Sequence, residues 1–158
     1  MYVDLRTAIN QIDDLEQYTR KHNLEMHGIP EQTGEILAEQ VITLGKALNV
    51  PIRGDDSDIC HRLSTGRNRS KPRPIIVRFK SYRAKKELYG ARKKHKNQNL
   101  HRIFQGAGIV YINKNLTRMR HELFPKVWRR KTESEQWHSV WTIDGKIFMK
   151  TSLTDQPG

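Results

Sequence analysis

A polypeptide does chemistry through nucleophiles, proton carriers and metal ligands, or through concentrated charge, and this sequence is poor in the first kind. Its one cysteine, Cys60, stands beside His61. Neighbours on a strand point to opposite faces, so the two make no nucleophile and base. Asp55, Asp56 and Asp58 are the oxygen ligands that magnesium takes, but no second acidic group completes a site, and a solvated turn leading into a strand accounts for them. Seven histidines and one cysteine form no set with zinc spacing. No glycine-rich phosphate cradle is present. The expectation is a protein that is not an enzyme and uses no metal or cofactor.

What the sequence does concentrate is positive charge. Residues 1–60 carry 5 Lys/Arg and 11 Asp/Glu, whereas residues 61–158 carry 24 and 6, within a net charge of +12. A switch of sign within one small chain suggests that the basic part faces a polyanion. Three clusters carry it. Arg62, Arg67, Arg69, Lys71 and Arg73 lie on or beside a loop, with Arg78 following in the next strand. Arg83 through Lys96, including Lys93 and Lys94, decorate a helix and its exit; Arg118, Arg120, Lys126, Arg129, Arg130 and Lys131 stud another. Arginine's planar fork grips phosphate oxygens in pairs and stacks on bases. Tyr111, Trp128, Trp137, Trp141 and Phe148 interleave with these charges, and exposed aromatic faces stack bases. Trp128, beside Val127, is assigned to the core; Trp137 and Trp141 suit stacking and packing equally. Single-stranded RNA or DNA is therefore the expected partner, bound through its backbone with little sequence preference. An anionic membrane surface is the rival polyanion, and an adaptor that docks an acidic protein is the alternative function.

The elements that must position these residues follow from periodicity. Tyr2, Leu5, Ile9 and Ile12 recur at steps of three and four, the seam of an amphipathic helix. Such a seam serves either a terminal helix docked on its own domain or the end of a coiled coil that oligomerises the chain. A strand is expected over residues 23–30, and a helix over 33–48 with Thr33 as N-cap and Asn49 past its end. A second strand over 58–63, a loop over 64–74, and a buried strand over 75–79 follow. Ser81 caps a helix whose inner face is Ala84, Leu88 and Ala91, and residues 109–113 form a fourth strand. The order strand, helix, strand, strand, helix, strand is the split βαβ arrangement of ferredoxin-like folds and RNA-recognition motifs. The two central strands, 75–80 and 24–29, lack the usual aromatics apart from Phe79, so base stacking on the sheet is not expected. Beyond it, a helix over 117–131 places Met119, Leu123 and Val127 inward, with Pro125 kinking or splitting it. Asp144-Gly145 between β-favouring runs signals a hairpin.

The predicted class is thus α+β, with an N-terminal helix at 1–22, an RNA-recognition-motif-like domain at 23–114, a helix-hairpin domain at 115–152 and a tail at 153–158. One cysteine excludes an internal disulfide, and no apolar run is long enough for a membrane span. An intracellular protein, cytoplasmic or nuclear, is expected.

Three stretches carry a family resemblance. Residues 13–31, running from Asp13-Asp14-Leu15-Glu16 through Arg20-Lys21-His22-Asn23-Leu24 to Gly28-Ile29-Pro30-Glu31, look like the join between coiled coil and RNA-recognition motif in the first-open-reading-frame proteins of LINE-type retrotransposons. Pro72-Arg73-Pro74-Ile75-Ile76-Val77-Arg78-Phe79 resembles their third strand, and the run from Asn115 through Pro125 to Asp144-Gly145 their C-terminal domain. The baculovirus few-polyhedra proteins share this layout. The resemblance implies a self-associating particle protein, dimer or trimer, that coats RNA and chaperones strand annealing. It implies nucleic-acid contacts at Arg20, Lys21, Arg73 and Arg120. The coil here is much shorter than in LINE proteins, and the tyrosine of the family's last domain has only Trp137 or Trp141 as a substitute.

Overall fold

A computed structural model describes residues 4–64, 70–94, 100–106, 108–134 and 136–151, apart from the side chains of Lys94 and His101. Of the residues singled out above, Tyr2, Arg67, Arg69, Lys96, the Lys94 side chain and the 153–158 tail lie outside the described residues. In chain order the elements are α1 (Leu5–Thr19), β1 (Asn23–His27), α2 (Leu37–Ala47), β2 (Ser57–Arg62), β3 (Ile75–Phe79), α3 (Tyr82–Lys94), a short 3-10 turn (Leu100–Arg102), β4 (Tyr111–Lys114), α4 (Arg118–Glu133), β5 (Trp137–Ile143) and β6 (Lys146–Thr151). The chain is mixed α+β, with all strand pairs antiparallel. It divides into two compact units, residues 22–115 and residues 1–21 with 116–158.

In the 22–115 unit the four strands pair in the order β2-β3-β1-β4. Alternation decides which residues face the helices: Leu24 and Met26 of β1, Ile75, Val77 and Phe79 of β3, and Ile112 of β4 are buried. They join Val41 and Leu44 from α2, Leu48 at its C-terminal cap, and Leu88 and Ala91 from α3 in one core. Each fully buried large apolar side chain stabilises the fold by about 1.5–3 kcal/mol. Phe104 and Val110, outside any strand, complete the core. Helix α2 starts later than its apolar spacing suggests. Gly34 has a φ of +71°, which breaks the helical path after Thr33, so Ile36 occupies the N-cap with no side-chain bond. At its other end Asn49 takes φ 57°, a left-handed stop that asparagine tolerates. The Ser81 hydroxyl accepts from the Arg83 amide at 3.2 Å and caps α3. Lys85 is not part of the exposed basic face: it is buried, its ammonium 5.3 Å over the Tyr82 ring. Gly28 has φ +84°, and a Cβ there would lie 2.0 Å from the Ile109 carbonyl oxygen, so the turn after β1 requires glycine.

In the other unit, α1, α4 and the β5-β6 hairpin come together. The hairpin turns at Asp144 (φ 47°) and Gly145 (φ 78°), the paired positive dihedrals of a type I′ turn. A Cβ on Gly145 would lie 2.2 Å from Cγ of Gln17, so the hairpin tip sits directly on α1. Pro125 lies inside α4 without splitting it, and α4 buries none of its residues. Met119 and Leu123 are exposed, not inward. The face of α1 that is buried is polar, Asp13 and Gln17, while Leu5, Ile9, Ile12, Leu15 and Tyr18 are exposed. No described helix is long and apolar enough to cross a membrane.

Candidate nucleic-acid interface

The expected interface residues separate by whether a carboxylate already holds them. Arg62, at the end of β2, is the most enclosed, with a side chain only 5% exposed. Its Nε and Nη2 donate to the two Glu35 carboxylate oxygens at 2.8 and 2.7 Å. Nη1 donates to the carbonyls of Ile29 and Arg73 at 2.8 and 2.7 Å, and Nη2 also reaches that of Pro30 at 3.0 Å. With its donors engaged by Glu35 and three carbonyls, Arg62 pins the loops around β2. Its hydrogen bonds hold the Glu35 carboxyl below the ordinary carboxylate range.

Arg120 is held in the same way. Its side chain is 12% exposed, its Nε donating to Asp13 at 2.7 Å and its Nη2 to Asp14. Thr117 completes this network: its backbone amide donates to Gln17 Oε1 at 2.9 Å, its hydroxyl donates to Asp13 at 2.5 Å, and the same oxygen accepts from the Arg120 amide as the cap of α4. Arg120 therefore ties α1 to α4 and does not face solvent. Arg20 acts beside it, donating to the Leu116 carbonyl at 3.1 Å and paired with Glu16. Lys21 lies 5.9 Å over the Tyr18 ring.

Partly exposed pairs form a second group. Arg73 is bound by Glu31 at 2.6 Å and Arg78 by Asp58 at 2.6 Å; each arginine holds its carboxyl partner's pKa down through the hydrogen bond between them. Arg78 stands on the sheet face away from the core, where its register neighbours are Asn23 and Ile59. Glu25 shares that face, so its charge is mixed. His27 of β1 and Tyr111 of edge strand β4 stack there, ring centroids 4.7 Å apart at 5°, an aromatic pair missed by looking at the two central strands, since its second ring stands on the edge strand. Cys60 packs against the core while His61 is exposed, and burial pushes the Cys60 thiol up to about 11. Among the described residues no group of histidine, cysteine and carboxylates could hold a metal ion.

The third group has no carboxylate partner among the described residues: Lys71 near β3, exposed Lys93 on α3, and Lys126, Arg129 and Arg130 on α4. Arg118, at the start of α4, is 92% exposed and, among the described residues, paired with the i,i+4 partner Glu122. Such surface pairs contribute little, so a phosphate can replace Glu122. Among the described residues, helix α4 thus presents a close-set row of available cations. Beside them Trp128, expected in the core, is 46% exposed, with Lys131 Nζ 5.0 Å over its ring and Phe124 at 6.4 Å. On the hairpin, Trp141 is exposed and stacked on Phe148 at 5.9 Å, while Trp137 is half-buried. The exposure of Trp128 was not legible from its neighbour Val127, because α4 docks on α1 through the polar Arg120 and not through an apolar stripe. No protein-family model matches the chain, and no curated protein matches it.

Proposed function

We propose that the chain binds single-stranded RNA or DNA by its phosphates, with weak regard for sequence, and assembles it into a nucleoprotein particle in which strands can anneal and exchange. The observation that carries this reading is the row Lys126, Arg129, Arg130 on α4, cationic and without a carboxylate partner among the described residues, next to exposed aromatic rings. By contrast, Arg62, Arg73, Arg78 and Arg120 are each held by a carboxylate. Unmatched cations attract a polyanion because its binding releases condensed counterions.

The strand order β2-β3-β1-β4 supports reading residues 22–115 as a ferredoxin-like, RNA-recognition-motif-like domain. The mixed charge of its open sheet face favours contacts outside that face. This combination fits the LINE-type and few-polyhedra resemblance, and with it an intracellular setting. Self-association belongs to the same proposal, supported by the exposed stripe Leu5, Ile9 and Ile12 on α1.

The test is a titration of the full chain with single-stranded RNA, single-stranded DNA and duplex at several salt concentrations. Four phosphate contacts give log affinity a slope near −3 against log salt on single strands, at roughly −0.7 per contact. A flat salt response would remove the proposal. Absence of any single-strand binding at low salt, together with tight capture of an acidic protein, would favour the adaptor reading instead.

A further inference from the structure

Phe124, Pro125, Trp128, Arg129 and Thr132 line an open groove of about 490 Å³ along one flank of α4. The members recur at steps of four, so a single helix builds the groove. Its floor is apolar and aromatic, and its rim is cationic: Arg129 lines it, Lys131 reaches over the Trp128 ring, and Lys126 and Arg130 are exposed nearby. An aliphatic ligand would answer only the floor and an acidic peptide only the rim. A flat ring with an anion attached answers both.

We propose that Trp128 is a stacking platform for one base of the bound strand, with Arg129 and Lys131 on the adjoining phosphates. The assignment rests on the single-strand reading above and adds to it a base contact in place of a purely electrostatic hold. An exposed cation–π contact is weaker than base stacking. An arriving base therefore displaces the Lys131 ammonium from the ring, and the ammonium turns to the phosphate. Because every base has a π-face, such a platform tightens binding without choosing sequence.

The experiment compares the full wild-type chain with Trp128→Ala and Trp128→Phe. The probes are an oligoadenylate, an abasic sugar–phosphate strand of equal length, and polyglutamate, all at low salt. Trp128→Ala should weaken oligoadenylate binding by about 5- to 150-fold, the range that stacking free energies convert to. It should leave the abasic strand and the salt slope unchanged, and Trp128→Phe should retain most of the affinity. Equal losses on both strands, or no loss on either, would overturn the platform alone while phosphate binding stands. A parallel loss of polyglutamate would assign the groove to acidic peptides and overturn it as well. Failure of the wild type to bind either strand would defeat this assignment together with the single-strand reading.

Discussion

Arginine is the residue type that decides most in this molecule, and it does so in two opposite ways. Where a carboxylate and several carbonyls converge, as at Arg62, the guanidinium is a structural clamp. Arg62→Ala would leave Glu35 enclosed without its partner, and breaking such a buried pair costs about 3–5 kcal/mol. Urea unfolding should register that loss, with the salt slope of strand binding unaltered in the folded variant. A loss under 1 kcal/mol or so, within the range of an exposed pair, would show the clamp to be dispensable. The sign with pH follows from the depressed Glu35 carboxyl. Its contribution is present above the unfolded carboxylate value near 4.3 and is lost as pH falls through the lower folded value, a dependence that Arg62→Ala should abolish. Which arginines were committed was only partly legible in the sequence. Glu16–Arg20, Arg83–Glu87 and Arg118–Glu122 are four apart on helices. Arg62–Glu35 and Arg120–Asp13 span 27 and 107 residues, and only the folded chain brings them together.

Among the elements, α1 reverses the usual reading of an amphipathic helix. Its apolar stripe was legible from spacing, but the side that docks is Asp13 and Gln17, against Thr117, Arg120 and the Gly145 turn. Polar docking depends on each partner, since an unmatched buried charge is costly. Arg120→Ala should therefore destabilise the unit of residues 1–21 and 116–158 by about 3 kcal/mol, and α1 amides should exchange faster with solvent. Unchanged exchange in α1 would refute its tie to α4. The hairpin was legible because Asp-Gly suits only a few turns. The β3 strand was legible because β-branched residues and alternation agree. The start of α2 was misplaced because the backbone at Gly34, not the candidate cap Thr33, sets it, and α4 was found as a helix with its faces misassigned because periodicity does not say what a stripe faces.

For the molecule as a whole, the charge asymmetry along the chain was visible before any coordinate, and the order of elements was legible from hydrophobic periodicity. What the sequence could not convey was which arginines of the basic half are already paired with carboxylates, namely Arg62, Arg73, Arg78, Arg83, Arg118 and Arg120, while Lys126, Arg129 and Arg130 stand together on α4 without such a partner among the described residues. The exposed stripe of α1 belongs to this scale too. Replacing Leu5, Ile9 and Ile12 together by serine should convert a concentration-dependent mass in sedimentation equilibrium to that of a single chain. Wild type that remains monomeric at every concentration would contradict self-association through α1. The most direct measurement is the salt dependence of single-strand affinity for wild type against the double variant Arg129→Ala/Arg130→Ala, with Arg78→Ala, whose guanidinium is held by both Asp58 oxygens, as a matched-charge control. The double variant should flatten the slope by about 1.4, two contacts at roughly 0.7 each, while the control keeps the wild-type slope. An unchanged slope in the double variant would contradict the placement of the phosphate grip on α4.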